Sequence, residues 1–117
     1  MYTGIVKAVR PLAAVKAHLG HTEFTIDFTD ELITDLKTGA SVSVEGTCMS
    51  VTGVSGTRVT FEAMAATLDR TNLRRFKTGD SVNIERSAKM TDEIGGHIMA
   101  GHIATIAEVV EFESVLG

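Results

Sequence analysis

Apolar and polar positions alternate along the chain in short bursts separated by glycines, a pattern of brief strands rather than of long helices. The clearest burst is Thr22-Glu23-Phe24-Thr25-Ile26-Asp27-Phe28, in which Phe24, Ile26 and Phe28 fall on one face and acidic and threonine side chains on the other. Successive side chains of an extended chain point to opposite faces, so this segment predicts a half-buried strand with those three residues in the core. Residues 1–9 are β-branched and apolar, and an apolar run resumes at residues 12–15 after Pro11. Because proline has no N–H to donate to a sheet, the strand is expected to kink there or to lie at an edge.

Gly20-His21 marks a turn, and further strands are predicted over residues 41–44, 48–54, 57–61 and 81–86. Ser55-Gly56 closes the second of these against the third as a hairpin. Two short helices complete the pattern. One runs through Lys37, capped by Thr29 or Asp30 and stopped by Gly39, because Leu32, Ile33 and Leu36 recur at helical spacing. The other covers residues 63–68, rich in Ala, Met and Leu, although Thr67 fits a loop over a pocket equally well.

An internal repeat organises these elements. Leu36-Lys37-Thr38-Gly39-Ala40-Ser41-Val42-Ser43-Val44-Glu45 returns as Phe76-Lys77-Thr78-Gly79-Asp80-Ser81-Val82-Asn83-Ile84-Glu85, a helix end, a glycine stop and a strand start in both copies. Short strands with turn signals between them point to a small antiparallel barrel, in which closure removes exposed edges. A second echo joins the ends of the chain: Met1-Tyr2-Thr3-Gly4-Ile5-Val6 resembles Met99-Ala100-Gly101-His102-Ile103-Ala104, and Ile106-Ala107-Glu108-Val109-Val110 continues it as an apolar strand. The expected organisation is a barrel over residues 1–97, followed at residues 98–117 by the start of a second barrel repeat or by a tail used in association. An unpaired strand with an apolar face needs such a partner, so residues 103–110 are expected to pack on another chain or back onto the barrel.

The length of 117 residues suits one compact domain with its own apolar core. A net charge of -4 argues against a nucleic-acid partner, and the one basic cluster, Arg70, Arg74, Arg75 and Lys77, reads as a solvated helix end. There is no Trp and one Tyr, too few aromatics for a base-stacking platform. The single cysteine, Cys48, excludes an internal disulfide and suits a reducing compartment. No apolar run reaches the roughly 18 to 20 residues of a membrane span and no secretory leader is visible, so a soluble, cytoplasmic protein without membrane contact is expected.

The segment richest in candidate chemistry is Asp92-Glu93-Ile94-Gly95-Gly96-His97-Ile98-Met99-Ala100-Gly101-His102-Ile103. Its glycines let the backbone bend and let a flat ligand approach, and its two histidines offer ring nitrogens. It reads either as a ligand-facing segment or as a connector with solvated histidines. No second Cys/His pair stands at ligand spacing, so no metal site is expected. Cys48 reads as a small buried hydrophobe or as a nucleophile, and Met64 and Met99 as pocket wall or core.

Several segments together carry a family resemblance: Met1-Tyr2-Thr3-Gly4-Ile5-Val6, Gly39-Ala40-Ser41-Val42, Gly46-Thr47-Cys48-Met49-Ser50-Val51-Thr52, Thr67-Leu68 with Thr71-Asn72-Leu73, Gly79-Asp80-Ser81-Val82-Asn83-Ile84-Glu85-Arg86, and Asp92 to His97 with Gly101-His102-Ile103. They resemble the N-terminal barrel of the riboflavin synthase family, to which lumazine protein is related. The resemblance implies an all-β fold, a six-stranded antiparallel Greek-key closed barrel with two short helices. It also implies a bound small molecule, 6,7-dimethyl-8-ribityllumazine or riboflavin, with no further cofactor required and no metal. Family enzymes carry two such barrels in one chain and assemble as trimers; two lumazines held face to face exchange a four-carbon unit, giving riboflavin and a pyrimidinedione. A homo-oligomer, dimer or trimer, is accordingly expected.

Carried over by position, the resemblance puts Gly4, Ile5 and Val6 beside the ring, with Cys48, Met49 and Ser50 on a neighbouring strand. It assigns the ring edge and ribityl chain to Glu62, Ala63, Met64, Ala65, Ala66 and Thr67, largely through backbone groups, and brings Gly101, His102 and Ile103 toward the ligand. His102 and Cys48 are the catalytic candidates. This chain departs from the family pattern at Tyr2, Thr47, Ser50 and the pair Ala65-Ala66, where the enzymes usually carry Phe, a second Cys, Thr and Lys-Glu. The departures leave three roles open: an enzyme, a binding protein without turnover, or an assembly module that holds no ligand.

Overall fold

In a computed structural model that describes residues 1–116, six strands close into a barrel. They are β1 (Ala8–His18), β2 (His21–Asp27), β3 (Ser41–Val44), β4 (Thr47–Ser55), β5 (Arg58–Met64) and β6 (Ser81–Arg86). The order around the barrel is β1-β2-β5-β4-β3-β6, with β6 returning to β1 and every neighbouring pair antiparallel. β3, β4 and β5 form a meander, and β2 lies beside β5 rather than β3, which is the Greek-key arrangement.

β1 is the long strand that makes closure possible. Residues 8–11 pair with β6, and Leu12 onward pairs with β2, with an irregularity between Leu12 and Ala14. A bulge bends a strand and sharpens its twist, which lets one strand serve both sides of the closing corner. Pro11 sits at this changeover, opposite Ser81. The expected kink is therefore a corner inside one strand, not a break between two.

The alternation reads through to the core. Phe24, Ile26 and Phe28 are each no more than 2% exposed, and they meet Leu12, Val42, Val51, Val59, Phe61, Val82 and Ile84 in the interior. Phe24 faces Phe61 and Val15 across its two neighbours, so the inward register is continuous over three strands. Burying such side chains contributes roughly 1.5–3 kcal/mol each, which makes this the main stabilising body of the fold. Leu73, on a single 3₁₀ turn (Leu73–Arg75), is buried with it.

Turns obey local sterics. The β3–β4 hairpin turns on Glu45 and Gly46, both left-handed at φ 50° and 82°, the two-residue geometry whose twist matches the strands. Both copies of the internal repeat, at Gly39 and Gly79, place glycine at φ near 90° two residues before a strand begins.

Five expectations need correction. Residues 1–7 form no strand, because Gly4 turns left-handed at φ 86°; only Tyr2 pairs, in an isolated bridge with Met99. Helix α1 (Asp30–Ile33) stops before Lys37, since Asp35 is left-handed at φ 59°; Leu36 is buried by the turn instead. Its start is as read, with the Thr29 hydroxyl accepting from the Leu32 amide. Helix α2 is Ala65–Arg70, so residues 63 and 64 belong to β5. Thr57 lies in the turn ahead of β5. The expected strand at residues 106–110 is not formed, and Val109 and Val110 are 77% and 87% exposed. An isolated strand has no partner for its backbone groups here, so the apolar pattern alone does not make one. Gly117, the end of the expected tail, lies outside the described residues. No helix among the described residues is long and apolar enough to cross a membrane.

Candidate functional site

The barrel wall opens at one seam. β4 and β5 pair from Ser55↔Arg58 up to Val51↔Phe61 and then stop, although β4 extends back to Thr47 and β5 forward to Met64. The irregularity between Val51 and Gly53 starts the splay. Beyond it, residues 48–50 and 62–64 face each other across a ladder that is not made. Backbone N–H and C=O groups left at such an edge are suited to a heterocycle rich in carbonyls and ring nitrogens. Alternation decides which side chains turn outward: Cys48, Ser50, Glu62 and Met64 do, whereas Met49 and Ala63 are 5% and 1% exposed and lie in the core. Met49 and Ala63 therefore offer only their backbone groups at the seam.

Helix α2 follows directly from β5 at Ala65, and residues 101–103 meet the β4 side at Cys48. Together they enclose a cavity of about 190 Å³ lined by Cys48, Ala66, Thr67, Arg70, Gly101, His102 and Ile103, with Thr47 and Thr71 at its floor. The Gly101 carbonyl accepts from the Cys48 amide at 2.8 Å, filling the β4 edge where β5 has left it. The Thr71 hydroxyl, on a residue 3% exposed, donates to the Thr67 carbonyl at 2.8 Å and so ties the end of α2. The Leu73 amide in turn donates to that hydroxyl at 3.2 Å.

A strap of residues 1–6 frames the other side. Glu85, buried on β6, accepts the Thr3 amide at 2.7 Å and the Thr3 hydroxyl at 2.9 Å through one oxygen, and the Gly4 amide at 3.0 Å through the other. Tyr2 and Met99 exchange both backbone hydrogen bonds at 2.8 Å, and the Thr3 carbonyl accepts from the His97 amide at 2.9 Å. The buried Tyr2 ring carries its hydroxyl to the Cys48 sulfur, 3.1 Å away. Burial first, then the hydrogen bond to Cys48, pushes the phenol well above the usual tyrosine range, so it stays protonated and donates. A neighbouring cavity of about 270 Å³ lies under this strap, lined among others by Tyr2, Gly4, Val6, Ser43, Met99 and Gly101.

Gly101 separates the two cavities and has no room for a side chain. A Cβ there would stand 2.9 Å from both the Cys48 Cβ and the Tyr2 Cε2, and the residue is left-handed at φ 79°. Gly4, on the amino-terminal strap, is also left-handed, at φ 86°.

Of the predicted site residues, Cys48, Ala66, Thr67, Gly101, His102 and Ile103 line one cavity, while Gly4 and Val6 line the adjoining one. Ser50, Glu62, Met64 and Ala65 border the open seam with exposed side chains, and Ile5 is exposed on the strap. His97 lines neither cavity. No group of three or more His, Cys, Asp or Glu among the described residues is placed to hold a metal ion. Sequence reasoning missed Tyr2, Glu85, Arg70 and Thr71. Glu85 lies in the second copy of the repeat and Tyr2 in the terminal echo, but a carboxylate bound to backbone amides 81 residues away leaves no local pattern to read.

The chain matches the family described as "Lumazine binding domain" over residues 3–87. It is 44% identical to riboflavin synthase of Escherichia coli (strain K12) over 111 residues, covering 95% of this chain and 52% of that protein. It is 34% identical to riboflavin synthase of Schizosaccharomyces pombe (strain 972 / ATCC 24843), covering 95% and 53%. The chain thus spans about half the length of these relatives. Two crystal structures of LumP, one complexed with riboflavin and one with 6,7-dimethyl-8-(1'-D-ribityl) lumazine, match it at TM-score 0.80. They share 23% and 22% of its sequence and cover 90% of this chain, against 56% and 58% of their own. With the match spanning most of the barrel, the chain belongs to the lumazine-binding domain family.

Proposed function

We propose that this domain binds 6,7-dimethyl-8-ribityllumazine or riboflavin in the cavity beneath residues 101–103, with the ring along the open seam. The observation that carries the reading is the unmade ladder between residues 48–50 and 62–64, beside a cavity that Cys48 shares with Thr67 and His102. Backbone groups there match a neutral, carbonyl-rich ring, and the hydroxyls of Ser50 and Thr67 suit a polyhydroxy chain. Its family and its riboflavin synthase relatives support the choice of ligand.

Turnover is a further part of the proposal. Two lumazines on facing barrels exchange a four-carbon unit, yielding one riboflavin and one pyrimidinedione with no atom left over and no redox partner. The barrels' contribution is to hold two rings at reacting distance. In this reading His102 hydrogen-bonds or moves a proton at the ring and Cys48 contacts it, which their common place in the lining of one cavity supports. The facing barrel comes from a second copy in a homo-oligomer, dimer or trimer, or from a second repeat begun at residues 98–117.

Titrating the purified chain with riboflavin and following the ligand's fluorescence tests binding; no change up to high micromolar ligand would remove the ligand from the reading and favour an assembly module. Incubation with the lumazine then separates the remaining roles. Riboflavin appearing with the parent chain but not with His102→Ala supports an enzyme, and tight binding without product leaves a binding protein.

A further inference from the structure

Three side chains with metal-binding donors stand in one row on the outer face of the barrel, across β1, β2 and β5. Leu19-Gly20 turns the chain between β1 and β2, so His18 and His21 become directly opposed partners. Their rings stack, with centroids 4.8 Å apart and planes 17° from parallel. On its other side His21 pairs with Met64 of β5. Phe24 and Phe61 pair in the core three positions along the same ladder, and an odd number of steps brings His21 and Met64 to the outer face. Directly opposed side chains have Cβ atoms about 4.5–5.5 Å apart, so two imidazoles and one thioether can close on a single ion.

The surroundings favour a cation. The next outward row is Lys16, Glu23 and Glu62, in which the two glutamates are directly opposed. Like charges so placed repel, and neither carboxylate is in an ion pair among the described residues, where the single pair is Arg10–Asp27. A cation at the histidine row offsets that repulsion. Neither glutamate forms a metal-holding group of three with the histidines, so the third donor is the thioether. Thioethers are soft ligands that select copper(I), and imidazole suits the same metal. We propose that His18, His21 and Met64 hold one copper(I) ion in a three-coordinate site at the end of the β1–β2 hairpin. The Cys48 sulfur accepts from the Tyr2 hydroxyl at 3.1 Å and is not part of the set.

The test titrates copper(I), kept reduced by ascorbate under nitrogen, into the full chain against a chromogenic copper(I) chelator. The chain carries Cys48→Ser, which removes the one thiol able to capture the metal. One equivalent should bind, and the Met64 methyl and the His18 and His21 ring signals should be the first to move in nuclear magnetic resonance spectra. His18→Gln, His21→Gln and Met64→Leu should each weaken binding about tenfold or more, while His97→Gln leaves it unchanged. Circular dichroism without copper should match the parent in all of them, because the three side chains lie on the outer face. Zinc should bind more weakly and be indifferent to Met64→Leu. Copper held by the parent chain but not by Cys48→Ser would assign it to the thiol and overturn the site. Undiminished binding by Met64→Leu, or a first response at Met90, His97 or Met99, would overturn it as well.

Discussion

The Tyr2 hydroxyl donates to the Cys48 sulfur at 3.1 Å, tying the amino-terminal strap to the strand that borders the open seam. Tyr2 is 2% exposed and is the chain's one tyrosine, so phenolate absorbance reports this contact alone. Its ionisation is raised in the fold, by burial first and by Cys48 second. A group that holds its proton more tightly when folded contributes stability that is complete below the unfolded value of about 10 and is lost as pH climbs toward the folded one. Native protein should therefore show no phenolate until alkali unfolds it, with absorbance and circular dichroism changing together. Tyr2→Phe should extend the folded range to higher pH. A gradual phenolate titration in folded protein would show the ring to be accessible.

Glu85 clamps the strap to the barrel. Its carboxylate accepts three hydrogen bonds from Thr3 and Gly4, and in Glu85→Gln one oxygen becomes an N–H₂ group facing donors. Leaving a buried donor unmatched costs about 1–3 kcal/mol. The variant should melt several degrees lower and lose hydrogen-exchange protection at the Thr3 and Gly4 amides before anywhere else. Unchanged protection at those two amides would remove Glu85 from this role.

How much of this was legible depends on the range of the interactions. Phe24, Ile26 and Phe28 were readable because alternation is local and the sheet buries one face. The same rule, applied to residues 48–54, places Met49 inward with Val51 and leaves its backbone at the seam. Residues 106–110 show the opposite failure: an apolar, β-branched pattern needs a neighbouring edge before it becomes a strand, and the pattern does not say whether one is there. Leu36 sits at helical spacing but is buried by a turn, because one left-handed residue, Asp35, redirects the chain. The seam follows from where a ladder stops, a property of two strands jointly. The resemblance named residues 48–50 and 62–64 but not the gap between them, and the Glu85 and Tyr2 contacts were not legible at all.

Gly101 permits the strap and β4 to meet. Gly101→Ala meets Cys48 and Tyr2 at 2.9 Å and also pays for a left-handed backbone, whereas Gly39→Ala, at φ 90° with nothing within 4 Å, bears the backbone cost alone. That backbone cost is roughly 1–2 kcal/mol. Gly101→Ala should be the more destabilising in urea titrations by a further 1–3 kcal/mol or so, the usual range for overpacking. It should also expose the Cys48 amide to exchange. Equal losses in the two variants would show that residues 99–103 shift without strain.

Cys48 offers the most direct check on where the ligand lies. It is the chain's one thiol, half-buried, lining the cavity with Thr67 and His102 and held on its other side by Tyr2. A maleimide can approach its sulfur through the cavity, along the route that a ring in the seam would block. Saturating riboflavin should slow labelling about tenfold or more, since only the free fraction of protein then reacts. The protection should titrate with the same midpoint as ligand fluorescence. Cys48→Ser should fold and melt near the parent, because the substitution keeps the size of the group and a partner for the Tyr2 hydroxyl. Labelling that proceeds at the same rate with riboflavin fully bound would put the ligand elsewhere on the barrel.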